Sequence, residues 1–367
     1  MENMIIRLFA CLLCALLAGC ASRTDPNDPR LPRELVPDPT FAGWFHIRGL
    51  GVPDDDGAVQ GVFRSSGKVG KPAWTLAQWA SRHNLADPAA SRQLQLDADR
   101  FAITNASKRV VVNSRTGEIE LGLFASACYG HARRAGESWP HLLASVPLTD
   151  TRYASEACRV TGMKRLDVSF SCRLDTFADR QPKADPKLHA AQFQLFLYVQ
   201  NLKQGDDGFG DMMWFGIPVF DNRFPVKEEH YQRDGGKADA SGKFIYGLSS
   251  KVCLADSEGF VRNNRLLAGK DARWVDFRAN VAPWIVYAYK LARKNGFLAT
   301  TELQDLYVSG LNFGWEMPGA YDASMRLRDL SLVSTPYPPA PLSAPPPNAP
   351  ADKDARPPKA SPPKPGK

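Results

Sequence analysis

Two short runs of this chain place carboxylate, amide and aromatic groups at strand spacing. In one, Asn312, Gly314 and Glu316 alternate with Leu311, Phe313, Trp315 and Met317. In the other, Gln192, Gln194, Phe196, Tyr198 and Gln200 alternate with Phe193, Leu195, Leu197 and Val199. Side chains of a strand point to opposite faces in turn, so each run buries an apolar face and turns the polar and aromatic set outward. Met213, Phe215, Ile217 and Val219 repeat the pattern and put Trp214 in the outward set. A solvated sheet face is ordinarily Lys, Glu and Thr. Amides and carboxylates instead pair with neighbouring hydroxyls, and aromatic faces stack on the C–H face of a pyranose. Gln192, Gln194, Tyr198, Trp214, Asn312 and Glu316 are therefore expected to line one sugar-binding groove. The competing expectation is that Phe196, Tyr198 and Trp214 merely pack beneath a loop or the N-terminal segment.

Several elements must position these groups. Period-2 alternation recurs at Ile119–Leu123 and Leu166–Cys172. Such strands, each with one apolar face, predict a mainly β fold, an antiparallel β-sandwich or jelly roll with one or two peripheral helices. The helices are expected at 74–83, from the spacing of Trp74, Ala77 and Ala80, and at 281–295, which ends in Lys294 and a Gly296 stop signal. A slip in alternation between Leu327 and Leu330 predicts a bulge near Arg328-Asp329.

The runs Gly210-Asp211-Met212-Met213-Trp214 and Gly314-Trp315-Glu316 resemble the two catalytic strands of concanavalin-A-like jelly-roll glucanases of glycoside hydrolase family 12, over about residues 165 to 333. The resemblance implies a jelly roll acting on a glycan, with Glu316 at the acid/base position. It departs at the nucleophile position, which holds Gly210, with Asp211 turned to the other face by strand parity. Glycoside hydrolysis ordinarily needs two carboxylates. Asp167, Glu118 and Glu120 are the remaining partner candidates. Aromatic surroundings are expected to favour the protonated Glu316 carboxyl, so that it serves as proton donor. A glycan binder, a glycoside hydrolase if an enzyme, is the favoured reading; a non-enzymatic structural or interaction protein is the alternative. No Gly-x-Ser-x-Gly, phosphate loop or dinucleotide fingerprint occurs, no cofactor is implied, and no histidine or cysteine pair has metal-ligand spacing. Glu137-Ser138-Trp139-Pro140-His141 is too local to converge on one atom. Asp221 and Arg223 read as a structural ion pair. The acidic runs at 54–56 and 206–207 read as solvated turns.

The ends bound the setting. The apolar run Leu8–Leu17 is too short for a bilayer span of about 20 residues and has the length of a signal-peptide core. Leu17-Ala18-Gly19-Cys20 looks like a bacterial lipobox, which implies cleavage before Cys20 and a membrane anchor of lipid on that thiol. In a Gram-negative envelope, Ala21 after the anchor implies the outer membrane. Residues 1–19 are then a signal peptide, 20–43 a tether, 44–334 the sandwich (with 44–115 as a subregion), and 335–367 a Pro-rich extended tail. Of seven cysteines, Cys128, Cys158, Cys172 and Cys253 remain to pair. Three connectivities are open, and nearness in sequence favours Cys158–Cys172 with Cys128–Cys253. Glu2 and Arg7 cancel, so the mature chain keeps the net charge of +7. For an exported chain that charge points to an anionic envelope surface or cell-wall polymer rather than nucleic acid.

Overall fold

The computed structural model describes residues 28, 30–51, 57–67, 71–149, 156–235, 243–253 and 268–338. The expected signal, Cys20 and the acidic run at 54–56 lie outside the described residues, as does the expected tail beyond residue 338.

The strands, in chain order, are β1 (Arg33–Glu34), β2 (Trp44–Arg48), β3 (Val59–Phe63), β4 (Pro72–Ala77), β5 (Arg92–Gln95), β6 (Arg100–Thr104), β7 (Lys108–Asn113), β8 (Glu118–Phe124) and β9 (His141–Pro147). They continue as β10 (Met163–Asp179), β11 (Gln192–Asn201), β12 (Met212–Asp221), β13 (His230–Arg233), β14 (Phe244–Gly247), β15 (Val275–Asn280), β16 (Leu306–Glu316) and β17 (Tyr321–Pro336). Helix α1 spans Ser250–Cys253 and α2 spans Ala282–Lys294.

The strands form two sheets, an eight-stranded one in the order β15-β10-β17-β8-β7-β6-β5, with β1 added beside β17, and a nine-stranded one in the order β13-β14-β12-β11-β16-β9-β4-β2-β3. Pairing is antiparallel except for β12 with β14 and β2 with β4. Inward-facing Phe193, Leu195, Leu197, Phe313 and Trp315 of the large sheet meet Leu121, Leu166, Val168, Met325 and Leu327 of the other in one continuous core. This is the sandwich that the alternation predicts.

Helix α2 buries Ile285, Ala288, Tyr289 and Ala292, one stripe of its surface. It ends in a Schellman motif: Phe297 N–H bonds to Ala292 O and Gly296 N–H to Arg293 O, both at 3.0 Å. The bulge near Arg328-Asp329 is present: Ser169 faces Ser331 but Ser171 faces Arg328, and Asp329 takes a left-handed φ of 56°.

Four expectations are corrected. The helix at 74–83 is strand β4, because Trp74 and Leu76 bury on one face while the strand pairs with β2 and β9. The tether does not reach residue 43. Arg33 and Glu34 pair with β17, and Leu35, Val36 and Phe41 are core residues. Residues 44–115 form no separate subregion, since β2–β4 lie in one sheet and β5–β7 in the other. At the other end β17 runs on to Pro336, opposite Met163.

The cysteines are also corrected: Cys128, Cys158, Cys172 and Cys253 are all free thiols. Cys158 precedes β10 and its thiol meets Leu148 O at 3.3 Å, whereas Cys172 lies nine residues into that strand. An extended strand of that length spans roughly 30 Å, and a disulfide needs Cα atoms within about 7 Å. Cys128, at the end of a short 3₁₀ turn, and Cys253, in α1, likewise remain apart.

Phe41 is fully buried against Trp74 (ring centroids 5.0 Å apart) and Phe313 (6.0 Å). Phe41→Ala is therefore expected to cost about 3–5 kcal/mol, the usual cost of emptying such a site. Denaturant unfolding of the variant checks this; an unchanged midpoint would return residues up to 43 to the tether.

Candidate functional site

The outer face of the nine-stranded sheet collects all six expected groove residues. Register carries the arrangement across five strands: Phe196 faces Asn312, Asn312 faces Ser145, Ser145 faces Thr75, and Thr75 faces His46. A second row runs from His141 through Glu316 and Gln192 to Asp221. Tyr198 lies between Trp214 and Gly310.

One end of the face is aromatic. Trp214 stands edge-on to Tyr198, with ring centroids 4.9 Å apart, and to Phe196, at 5.9 Å. Its Nε1–H donates to Asp234 Oδ2 at 3.2 Å. The rings of Phe196 and Tyr198 lie over neighbouring strands because those strands offer glycines. A Cβ on Gly216 would sit 2.7 Å from the Phe196 ring, and one on Gly310 would sit 2.8 Å from Tyr198. Burial pushes the Tyr198 phenol well up, so it stays neutral and able to donate. Beside it Asn312 is 7% exposed, and its Oδ1 accepts no hydrogen bond among the described residues. His46 Nδ1, Trp44 Nε1 and His141 Nδ1, from the same face, are also buried without a partner. A buried polar atom left unpaired loses free energy, so several on one face mark a place where something else can bond.

The other end is ionic. Glu316 Oε2 lies 3.7 Å from His141 Nε2, and the His141 ring stacks with Trp139 at 5.9 Å and 27°. The Arg133 guanidinium covers Trp139 at 5.0 Å. Gln192 Nε2 donates to Asp221 Oδ2 at 2.8 Å, while Arg223 and Lys227 pair with the same carboxylate at 2.7 and 3.6 Å. Burial alone would raise both carboxyls. His141, Trp139 and Lys227 around Glu316, and Arg223 and Lys227 around Asp221, win, and both are held below the usual carboxylate range. Burial conversely pulls the Lys227 ammonium down.

This overturns the expected acid role: Glu316 is kept ionised rather than protonated. The partner carboxylates fail as well. Asp167, Glu118 and Glu120 belong to the other sheet, where they face Arg165, Arg326 and Arg109. The two catalytic-strand motifs do not converge. Met212 faces Gln200 while Glu316 faces Gln192, eight residues along β11, which is roughly 26 Å of strand. Gly210 lies still farther away, in the turn before β12 with φ at 87°.

Sequence reasoning set His141 and Trp139 aside as too local to converge, and missed Lys227 and the outward turn of Asp221. Only His141 had a signal: Leu142, Ala144 and Val146 alternate inward, so His141 and Ser145 had to point out. Among the described residues, no three His, Cys, Asp or Glu gather to hold a metal ion.

No protein family and no curated protein matches the chain. Among solved structures, endoglucanase cel12A from Rhodothermus marinus is similar at 10% identity and a TM-score of 0.34, over 68% of this chain and 100% of that one. The native family 12 xyloglucanase from Bacillus licheniformis shares 10% identity at a TM-score of 0.34, over 67% and 100% of the two chains. The family 11 xylanase from Neocallimastix patriciarum gives 10% and 0.32, over 67% and 96%. A likeness this distant assigns no function, which rests on the side chains themselves.

The ionic end sets a pH dependence. Glu316 and Asp221 have folded-state pKa values below their unfolded ones, so they stabilise the fold above the ordinary carboxylate range. That contribution is lost as pH falls through and below the range. Thermal midpoints should fall steeply over that window, and Asp221→Asn should flatten the fall. At neutral pH the same variant should cost on the order of 3 kcal/mol, because it strands Arg223 and Lys227 beside a neutral amide.

Proposed function

We propose that the protein is a glycan-binding jelly-roll protein of the cell envelope, held to the membrane by lipid on Cys20, in the outer membrane of a Gram-negative cell. The carrying observation is the outer face of the large sheet. There Trp214, Tyr198 and Phe196 present ring edges and faces beside Asn312, and Asn312 Oδ1, His46 Nδ1 and His141 Nδ1 on the same face are buried without a hydrogen-bond partner among the described residues. A sugar chain laid across the strands would meet a new strand about every 4.8 Å, and would find hydroxyl partners at one row and stacking surface at the next.

Binding is a better description than hydrolysis. Glu316 is ionised, and the carboxylate that shares its row, Asp221, is 2% exposed and already bonded to Gln192, Arg223 and Lys227. It has neither a proton to give nor a free lone pair facing a substrate. Glu316 is instead an acceptor for sugar hydroxyls, positioned by His141.

The test is a panel of polysaccharides offered to the chain lacking residues 1–20, read for retention and for new reducing ends. At least one polysaccharide should be retained without reducing ends appearing. Trp214→Ala and Asn312→Ala should each weaken retention roughly tenfold, the equivalent of about 1.4 kcal/mol. Retention unaffected by both variants would remove this face from the function, and released reducing ends that vanish in Glu316→Gln would restore a hydrolase.

A further inference from the structure

One end of the sandwich is closed by a helix. Helix α2 starts at the eight-stranded sheet, where Val281 N–H donates to Leu166 O at 2.8 Å. Just past its far end it meets the nine-stranded sheet, where Phe297 packs on Phe244 with ring centroids 5.2 Å apart. Its buried stripe, Ile285, Ala288, Tyr289 and Ala292, faces the core. The opposite stripe is Pro283, Tyr287, Lys290 and Lys294, which share one helix face and are all exposed. That stripe points away from the molecule.

Its aromatic ring is held in place. Tyr287 is 46% exposed, yet stands edge-on to Trp284 at 6.3 Å and to Tyr246 at 6.0 Å. Tyr337, 60% exposed, follows β17 at the same end. Its N–H donates to Gly162 O at 3.4 Å, in the 3₁₀ turn Val160–Gly162 that α2 also touches. The acids packed nearest α2 are engaged: Asp167 by Arg165 and Glu302 by Arg293. The Glu229 charge beside Tyr287 pushes that phenol up, so the ring stays neutral. The acidic turn at 206–211 lies past the C-terminal end of α2, where Gly208 abuts Thr301. Lys290 and Lys294 have no ion pair among the described residues.

The chain also enters at this end. Arg33 pairs with Ser334 of β17, Ser334 pairs with Leu166, and Leu166 O accepts the bond that starts α2. Thirteen residues lead from Cys20 to Arg33, and they can span no more than about 45 Å. Lipid on Cys20 would therefore keep the α2 end of the sandwich within reach of the bilayer.

We propose that the outer stripe of α2, with Trp284 and Tyr337, docks on an anionic bilayer surface, its rings at headgroup level and Lys290 and Lys294 on lipid phosphates. Trp and Tyr favour that boundary because their rings are apolar and their polar tips stay wet. Each lysine near an anionic surface strengthens binding about fivefold. The inference rests on the reading of Cys20 as a membrane anchor. Docked in this way, the strands stand off the bilayer and the outer face of the large sheet stays open to a glycan.

The test is flotation of the chain lacking residues 1–20 with vesicles of equal parts phosphatidylcholine and phosphatidylglycerol. The truncation removes the apolar leader and the Cys20 thiol, and the described fold begins beyond it. The chain should float at low salt, be released at high salt, and float poorly with phosphatidylcholine alone. Lys290→Gln combined with Lys294→Gln should weaken partitioning at least tenfold, and Tyr287→Ser should weaken it severalfold. All three side chains are exposed, so thermal midpoints should not move. Lys183→Gln combined with Lys187→Gln, between β10 and β11 at the opposite end, should change nothing. The proposal is overturned by an absence of flotation with the mixed vesicles. It is equally overturned by flotation that survives both α2 variants, or that falls as far in the Lys183 and Lys187 pair. Acylation is read separately, from labelled palmitate on the full chain against Cys20→Ser. A chain that is acylated but does not float removes the docking face alone, and one that floats but is not acylated removes the anchor alone.

Discussion

The indole of Trp315 is the pin on which the candidate face depends. It is fully buried between the sheets, edge-on to Phe193 at 5.1 Å, and its Nε1–H donates to Leu121 O of β8 at 2.8 Å. That bond crosses from the nine-stranded sheet to the eight-stranded one. It satisfies the indole's only donor inside the core and locks the rotation of β16 about its own axis. With Trp315 and Phe313 facing in, Asn312 and Glu316 have to face out. Phe313 meets Trp74 and Phe41 on the same inner side, which extends the constraint to β4 and to the chain that precedes β2. The aromatic core and the outward polar set are thus two sides of one alternation. Of the described N-terminal residues, Leu35, Val36 and Phe41 fill the inner face.

At the ionic end the determining balance is between burial and partners. Glu316 and Asp221 would both be driven toward neutrality by the loss of water around them. His141 and Lys227 around one, and Arg223 and Lys227 around the other, reverse that. Lys227 serves both carboxylates, and burial weakens its own hold on a proton. Lys227 therefore joins the two carboxylates into one set of neighbouring charges. Such a set favours a fixed, ionised acceptor over a group that must gain and lose a proton in turn. This is why the geometry supports recognition more than acid catalysis.

What was legible in the sequence was local. Parity along β11 and β16 placed Gln192, Gln194, Tyr198, Asn312 and Glu316 on one face because strand alternation needs no knowledge of neighbours. The stop of α2 at Gly296 and the slip at Asp329 were local too. What was not legible was pairing. Trp74 could be read on a helical period until β2 and β9 were seen to flank it. Asp167 and Glu120 looked equivalent to Glu316 because parity alone does not tell one sheet from the other. Cys158 and Cys172 looked adjacent because sequence distance ignores the length of an extended strand.

Departures from alternation then decide what the large sheet can present. Along β12 the inward residues are Met213, Phe215, Ile217 and Val219, and strict parity would send Asp221 inward as well. The register shift opposite Phe193 and Gln194 inserts one residue. Phe220 turns in against Trp315 and Phe177, and Asp221 turns out beside Gln192. A second shift, opposite Tyr198 and Val199, changes the inward set of β16 from Leu306 and Val308 to Leu311 and Phe313. It brings Gly310 beneath the Tyr198 ring. A bulge costs one ladder position and re-aims every residue beyond it. Here the two bulges bracket the face, one releasing the anion of the ionic end and the other making room for the aromatic end. Neither follows from composition or period; both depend on where neighbouring strands start counting.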